Sequence, residues 1–131
     1  ERPAADIAKA LNLAKGETVI RLERLRLNDR EPVLYCLDHI RRDAISDRVF
    51  DVDWSGSLIE TLARYGARPS MSQARVRATF LPDDVAARHD LRDFGPALVI
   101  EETAYRDSGP PVLHAIDYHR GDRYAFSFLR K

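Results

Sequence analysis

Two arginines, Arg24 and Arg26, have the types and spacing most suited to chemistry, because they are two positions apart in a run that alternates like a β-strand. On a strand, side chains at that spacing share a face, so their guanidinium groups lie roughly 6–7 Å apart. Like charges held that close repel, which favours an anion between them or carboxylates that neutralise them. The pair predicts a clamp for a carboxylate or phosphate. The structural alternatives are a clamp filled by the protein's own Asp38 and a solvated strand face.

A second candidate for anion binding is the loop at residues 53–57, Asp-Trp-Ser-Gly-Ser, which leads into a predicted helix. Ser55 and Ser57 supply hydroxyl groups, and a helix start offers unpaired backbone N–H groups. Ser57 also fits an ordinary N-cap, because Ser57-Leu58-Ile59-Glu60 has the pattern of a capping box. Trp54 fits either the core or the roof of a pocket.

Signatures of catalysis and metal binding are weak in this sequence. It has no Gly-rich phosphate loop, no His-Glu-x-x-His motif, no cysteine pair with zinc spacing and no Gly-x-Ser-x-Gly motif. His114 and His119 are five apart on a predicted strand and so point to opposite faces, whereas Asp117 and His119 share a face but make a weak metal site. The single cysteine, Cys36, excludes internal disulfides and is expected to be a small buried residue. We therefore expect no catalytic residue, no metal and no cofactor.

The elements that must position these residues come from an internal repeat. Residues 32–39, Pro-Val-Leu-Tyr-Cys-Leu-Asp-His, return as residues 111–118, Pro-Val-Leu-His-Ala-Ile-Asp-Tyr. The same offset relates further pairs: Gly16 and Gly95, Glu23 and Glu102, Arg41 and Arg120, Asp43 and Asp122. Each copy has the pattern of a helix, a strand, a turn and an antiparallel strand. Two copies are too few for a solenoid, so the repeat predicts a closed domain with a pseudo-twofold axis.

Two further strands are predicted outside the repeat. Residues 72–80 alternate between apolar and polar side chains, which indicates a strand with one face buried and one wet. Residues 124–129 alternate Tyr, Phe and Phe with smaller or aliphatic residues, which indicates a terminal strand with an aromatic face. The whole predicts an α+β fold with a central antiparallel sheet of about six strands and helices packed on one face.

Composition agrees with one domain over residues 1–131. The chain is 44% hydrophobic, which suffices for a core without disulfides. Its formal net charge is zero, which argues against a nucleic-acid interface formed by this chain alone. No apolar run is long enough to span a bilayer and no secretion signal is present, so we expect a cytoplasmic domain with no membrane partner. The only methionine is Met71, so we expect a further segment upstream of Glu1.

The order of several short motifs along the chain resembles a known family. Residues 11–17 (Leu-Asn-Leu-Ala-Lys-Gly-Glu), 23–29 (Glu-Arg-Leu-Arg-Leu-Asn-Asp), 31–33 (Glu-Pro-Val) and 118–124 (Tyr-His-Arg-Gly-Asp-Arg-Tyr) carry the resemblance. Taken jointly they are similar to the effector-binding UTRA domain of bacterial GntR-type transcription regulators, HutC subfamily. The similarity extends over essentially the whole chain.

The resemblance implies a chorismate-lyase-like fold, a homodimer and an N-terminal winged helix-turn-helix domain, absent from this chain, through which DNA is bound. It also implies a small anionic effector, a sugar phosphate or an organic acid, that modulates DNA binding. Arg24 and Arg26 occupy positions at which sugar-phosphate-sensing members bind their ligand. The full set of expected effector-binding residues is Arg24, Arg26, Cys36, Ser55, Ser57, Tyr105, Leu113 and His119.

Three of these positions depart from the family pattern and change the expected pocket. The family often has Glu at the positions of Cys36 and Leu113, and Tyr at that of His119. The departures remove groups that would hydrogen-bond ligand hydroxyls or an amine, so the pocket is expected to be less polar. An amino-sugar phosphate becomes a poor candidate, and a carboxylate or phosphate with a more apolar body a better one.

Two alternatives to a sensor domain stay open from sequence. The first is a lyase-like enzyme acting on a small carboxylic acid, with Glu23, Glu102 or His119 as nominal acids or bases. Against it, Glu23 lies on the opposite strand face from Arg24 and Arg26. The second is a dimerisation module whose pocket has lost its ligand.

Overall fold

The chain folds around an antiparallel sheet whose strands carry most of the residues singled out above. A computed structural model describes residues 1–45, 52–107 and 109–130. The strands in those residues are β1 (Val19–Asn28), β2 (Glu31–Arg41), β3 (Met71–Thr79), β4 (Ala97–Tyr105) and β5 (Pro111–Arg120). The α-helices are α1 (Ala5–Ala10), α2 (Leu58–Arg64) and α3 (Asp83–Arg88). The predicted α+β class is confirmed.

The predicted repeat is visible in the topology. The strand order is β1-β2-β5-β4-β3, with all neighbours antiparallel. The two copies, α1-β1-β2 and α3-β4-β5, are therefore related by a pseudo-twofold axis between the central strands β2 and β5. Gly16 (φ +90°) and Gly95 (φ +72°) precede β1 and β4 in a left-handed conformation that favours glycine. This arrangement confirms the pseudo-twofold domain.

The register shows that one pair of residues was matched wrongly in the predicted repeat. Glu23 lies opposite Leu37 on β2, and Glu101 lies opposite Ile116, the repeat partner of Leu37. Glu23 is therefore equivalent to Glu101 rather than to Glu102. The second copy has one residue fewer between its glycine and its strand, so the offset changes by one along β1 and β4. The residue equivalent to Arg24 is Glu102.

Helices pack on both faces of the sheet, which corrects the prediction of helices on one face. We call the face that carries Arg24, Cys36 and Asp117 the cleft face, and the opposite one the back face. On the cleft face, α2 packs through Leu58 and Leu62 in one cluster with Ile40, Leu113 and Ala115. On the back face, α3 packs through Val85 against Tyr35, Val99 and Tyr118. Helix α1 packs through Ile7 and Leu11 against Val19, on the same back face.

Two predictions about strands outside the repeat are wrong for the single chain. In the part of the chain that the structure describes, residues 124–130 form no strand, so the sheet has five strands instead of about six. Strand β3 is present, but its apolar side chains are not buried, and Val76 is 62% exposed. Both wrong predictions concern apolar side chains that are exposed in the single chain.

Candidate functional site

A cleft of about 650 Å³ lies between the sheet and the loop before α2. Residues of β1 and β2 form its floor, and the loop at residues 55–57 forms its opposite wall. The lining residues are Arg24, Leu25, Arg26, Leu34, Cys36, Ser55, Gly56, Ser57, Leu58 and Asp117. A cleft of this volume suits a small metabolite.

Arg24 is held by contacts to the protein on two sides. Its Nη2 donates to Asp38 Oδ2 at 2.9 Å, and its Nη1 donates to the carbonyl of Gly56 at 3.3 Å. Its Nε is buried and has no hydrogen-bond partner within the described ranges. The internal-carboxylate alternative is therefore realised for one of the two arginines.

Arg26 differs from Arg24 in being exposed. Across residues 1–45, 52–107 and 109–130, no hydrogen bond or ion pair engages its guanidinium group. It lines the cleft beside Arg24, and it also borders a smaller cavity of about 260 Å³ next to Tyr124. Its five N–H donors are thus available to an anion in the cleft.

Carboxylates on the cleft face offset the charges of the two arginines. Asp38 is only 2% exposed, and Asp117 lies opposite Cys36 on the neighbouring strand. Burial raises the pKa of the Asp38 carboxyl to about 6; Arg24 opposes this shift, while the charges of Asp117 and Glu102 add to it. Asp38 therefore takes up a proton close to neutral pH, and the Arg24–Asp38 pair is responsive to a competing anion.

The loop before α2 is organised by its own side chains. Asp53 accepts from the backbone N–H of Ser55 at 3.0 Å and from the Ser55 hydroxyl at 2.6 Å. Ser57 caps α2, because its hydroxyl accepts from the backbone N–H of Glu60. The N-cap interpretation of Ser57 is confirmed. Trp54 is half-buried and packs against the core cluster under α2.

The remaining candidates divide between the cleft and its surroundings. Cys36 lines the cleft, and burial together with the charge of Asp117 raises the pKa of its thiol far above the usual value. Leu113 is buried beneath α2, and Tyr105 lies at the end of β4 opposite Met71; neither borders the cleft. His119 lies on the cleft face opposite Leu34, where its ring contacts Tyr124 and Phe126 instead of lining the cleft.

Sequence reasoning missed four lining residues: Leu25, Leu34, Leu58 and Asp117. Leu34 lies on the same face of the sheet as Cys36, two positions along β2. Asp117 lies on that face too, because the register places it opposite Cys36, as it places His119 opposite Leu34. Alternation along β2 alone would have identified Leu34, whereas Asp117 required the register between β2 and β5, which are separated by the 79-residue offset of the repeat. Leu58 enters the cleft because α2 starts at its edge.

None of the three groups named for an enzymatic alternative, Glu23, Glu102 and His119, lines the cleft. Glu23 lies on the back face, where it accepts from the Tyr35 hydroxyl and pairs with Arg88 and His89. Burial alone would raise the pKa of Glu23, but these hydrogen bonds together lower it to about 2, so Glu23 is an ionised structural group. Glu102 lies on the cleft face, opposite Ala115 on β5.

The part of the chain that the structure describes contains neither a cluster of metal-binding side chains nor a membrane-spanning helix. Among those residues, no three of His, Cys, Asp or Glu are grouped so as to hold a metal ion. No helix there has the length and apolar character needed to cross a membrane.

Comparisons with known proteins identify the family. The model of the UTRA domain matches residues 1–125. The HTH-type transcriptional regulator Rv0792c of Mycobacterium tuberculosis is 33% identical over 64 residues, which are 49% of this chain and 24% of that protein. The matched region thus spans under a quarter of that relative's length.

Solved structures show the same fold over the whole chain. The effector domain of PhnF from Mycobacterium smegmatis matches with a TM-score of 0.86 at 17% identity, covering 100% of this chain and 81% of that one. The effector binding domain of the Bacillus subtilis trehalose repressor TreR matches with a TM-score of 0.81 at 22% identity, covering 100% and 92%. Both likenesses support the chorismate-lyase-like architecture expected from sequence.

Proposed function

We propose, from the fact that this chain belongs to the UTRA domain family, that it is the effector-sensing part of a GntR-type transcription regulator. In this proposal it binds a small anionic metabolite in the cleft, and DNA is bound by a separate N-terminal winged helix-turn-helix domain of the same cytoplasmic protein. The sensing unit acts as a homodimer and carries out no chemical step. Rv0792c, a transcriptional regulator, supports this assignment.

The observation that carries the proposal is the contrast between the two cleft arginines. Arg24 is neutralised by Asp38, whereas Arg26 has no partner among the residues that the structure describes. An exposed cation beside a cleft that a metabolite can enter is suited to a carboxylate or phosphate group, which accepts two parallel hydrogen bonds from a guanidinium fork.

The rest of the lining narrows the class of ligand. Leu34, Cys36 and Leu58 give the cleft an apolar side, and Asp117 supplies an acceptor for a hydroxyl or amine. We therefore propose a metabolite with one anionic group, an apolar body and a donor at the far end. A phosphorylated sugar and an organic acid both carry the required anion, and the apolar side favours the acid.

Binding is transmitted, in this proposal, through the contact between β1 and the loop before α2. Arg24 donates to the carbonyl of Gly56, so an anion that draws Arg24 away from Asp38 also changes the anchoring of that loop. The loop continues directly into α2, whose Leu58 and Leu62 are part of the core cluster. Allosteric coupling of this kind is typically worth about 1–3 kcal/mol.

The decisive experiment measures anion binding by Arg26 variants. A thermal-shift screen of organic acids and phosphorylated sugars supplies a ligand, and calorimetry then compares wild type with Arg26→Ala. We expect at least a tenfold loss of affinity, because a charge-assisted hydrogen bond contributes about 1.5–3 kcal/mol. Arg68→Ala is the matched control, since Arg68 is exposed and does not border the cleft.

Each result of that experiment has a separate meaning. Unchanged affinity in Arg26→Ala contradicts the cleft as the effector site. Turnover of a bound acid favours the lyase alternative over a sensor. If no compound in the screen shifts the melting temperature of the folded protein, the result favours a dimerisation module that no longer binds a ligand.

A further inference from the structure

The cleft between the sheet and the loop before α2 contains one unpaired charge of each sign. Its charged lining residues are Arg24, Arg26 and Asp117. Asp38 neutralises Arg24, which leaves one guanidinium group and one carboxylate. Among the residues that the structure describes, neither Arg26 nor Asp117 forms an ion pair. A ligand with a single charge of either sign would therefore leave one of these two groups without a counterion.

The two unpaired charges lie at opposite sides of the cleft floor. Arg26 of β1 is opposite Leu34 of β2, and Cys36 of β2 is opposite Asp117 of β5. Arg26 and Asp117 are thus separated by two strand spacings across the sheet and by two residues along it. At about 4.8 Å per strand and about 3.3 Å per residue, their Cα atoms are about 12 Å apart. Because side chains stand roughly perpendicular to a sheet, a similar distance separates the charged groups.

The surface between the two charges is apolar. Leu34 and Cys36 lie on the strand that separates β1 from β5. Leu58 lines the same cleft from the start of α2. A ligand that reaches from Arg26 to Asp117 must cross this surface, where a polar group would lose water without gaining a hydrogen-bond partner. Methylene groups are therefore the best fit for the middle of such a ligand.

The Asp117 end of the cleft favours a positively charged donor over a neutral one. Burial raises the pKa of the Cys36 thiol, which remains protonated and supplies only a weak donor to the Asp117 carboxylate. The charges of Asp117 and Glu102 both raise the pKa of Asp38, so negative potential is concentrated at this end. An ammonium group forms charge-assisted hydrogen bonds there, which are roughly twice as strong as those of a hydroxyl group. A second anionic group would be repelled.

We infer that the effector is a zwitterion, an ω-amino carboxylate whose carboxylate binds Arg26 and whose ammonium group binds Asp117. The inference rests on the proposed function, because it names the ligand class of the same cleft. Allowing about 2.8 Å for the charge-assisted hydrogen bond at each end, the charged groups of the ligand lie about 6 Å apart. A chain of about four methylene groups supplies that separation. The two charges of an α-amino acid, on neighbouring carbons, are too close to reach both residues.

Calorimetry of this chain with three probes of matched length tests the inference. At pH 7, 5-aminopentanoate carries both charges, pentanoate lacks the ammonium group, and pentanedioate has a second carboxylate in its place. We expect 5-aminopentanoate to bind at least tenfold more tightly than pentanoate, and pentanedioate to bind most weakly. Equal affinities of 5-aminopentanoate and pentanoate, both lowered by Arg26→Ala, overturn the inference and leave the proposed function in place. Affinities that Arg26→Ala does not lower overturn both.

An isomer of the zwitterion tests the separation of its charges. The probe 2-aminopentanoate has the composition of 5-aminopentanoate, but its ammonium group is next to the carboxylate. We expect it to bind at least tenfold more weakly than 5-aminopentanoate, because it cannot contact Arg26 and Asp117 together. Equal or tighter binding of 2-aminopentanoate overturns the assignment of the two ends. Failure of 5-aminopentanoate to bind at millimolar concentration also overturns the inference, and the proposed function is then judged by the screen of other acids.

Asp117→Asn distinguishes a ligand contact from a structural role, because it removes the charge and keeps the shape of the side chain. We expect the preference for 5-aminopentanoate over pentanoate to disappear, and the affinity of pentanedioate relative to pentanoate to rise. These ratios are insensitive to the titration of Asp38, which affects every carboxylate ligand alike. Unchanged ratios, with all affinities lowered together, would show a structural role and overturn the inference. Glu60→Gln is the matched control, since Glu60 is exposed on α2 and does not border the cleft.

Discussion

The two copies of the repeated unit share a backbone and differ in what their cleft-face residues do. Arg24 and Arg26 of the first copy are replaced by Glu102 and Ala104 in the second, and Cys36 is replaced by Ala115. The second copy's end of the cleft face is covered by α2 and belongs to the core. The first copy's end is left open as the cleft. Equivalent positions of the repeated unit are therefore packed in the core in one copy and line an open cleft in the other.

On the back face the two copies have kept the same contacts. Glu23 accepts from the Tyr35 hydroxyl, and at the equivalent positions Glu101 contacts His114 Nε2 at 3.2 Å. At the ends of β2 and β5, Arg41 pairs with Asp43 and Arg120 pairs with Asp122 in the same forked geometry. Contacts required by the fold recur in both copies, whereas the two cleft arginines occur only in the first. Comparison of equivalent positions thus distinguishes residues that maintain the fold from residues that are proposed to bind an effector.

The largest expected effect compares two equivalent leucines. Leu113 is buried beneath α2, whereas its equivalent Leu34 borders the open cleft. Leu113→Ala should lower the free energy of unfolding by about 2–5 kcal/mol, because it leaves a cavity in the core. Leu34→Ala should cost less than about 1.5 kcal/mol, because its side chain is already half-exposed. Urea denaturation measures both, and similar losses would contradict the division of the cleft face into core and cleft.

The fold could be predicted further than the site, for reasons visible in particular residues. The repeat of residues 32–39 at 111–118 gave the hairpins and the axis, and alternation placed Arg24 and Arg26 on one face. Leu113 was assigned to the pocket from the family resemblance, and nothing in the sequence says that α2 covers this half of the cleft face. Asp117 was missed because its approach to Cys36 depends on the β2–β5 register. Residues 124–129 were predicted as a strand, but they pair with no strand among the residues that the structure describes.

A smaller effect concerns the two equivalent carboxylates, Asp38 and Asp117. The raised pKa of Asp38, about 6, means that it is half-protonated near that pH, and an anion competing for Arg24 raises this pKa further. Anion affinity should therefore be constant below about pH 6 and fall above it by up to about tenfold per pH unit, as binding comes to require proton uptake. Calorimetry with a carboxylate ligand, ionised throughout this range, measures the profile.

Two variants make that pH profile diagnostic. Asp38→Asn should abolish the pH dependence and strengthen binding near pH 7, because Arg24 loses its internal competitor. Asp117→Asn should retain the dependence with its onset at lower pH, since the charge of Asp117 contributes to the raised pKa of Asp38. A pH dependence that persists in Asp38→Asn would show that another group takes up the proton.

The smallest expected effect separates the two loop serines, which the sequence presents as alike. The Ser57 hydroxyl accepts from the backbone at the start of α2, so Ser57→Ala should lower the free energy of unfolding by about 1 kcal/mol. The Ser55 hydroxyl is exposed and donates to Asp53, so Ser55→Ala should leave stability nearly unchanged. If the loop wall contacts the effector, Ser55→Ala weakens binding and Ser57→Ala does not, because the Ser57 oxygen is already engaged. Equal effects of both substitutions on affinity would mean that the loop contacts the effector through its backbone. The carbonyl of Gly56, which accepts from Arg24, would then link the loop to the arginine.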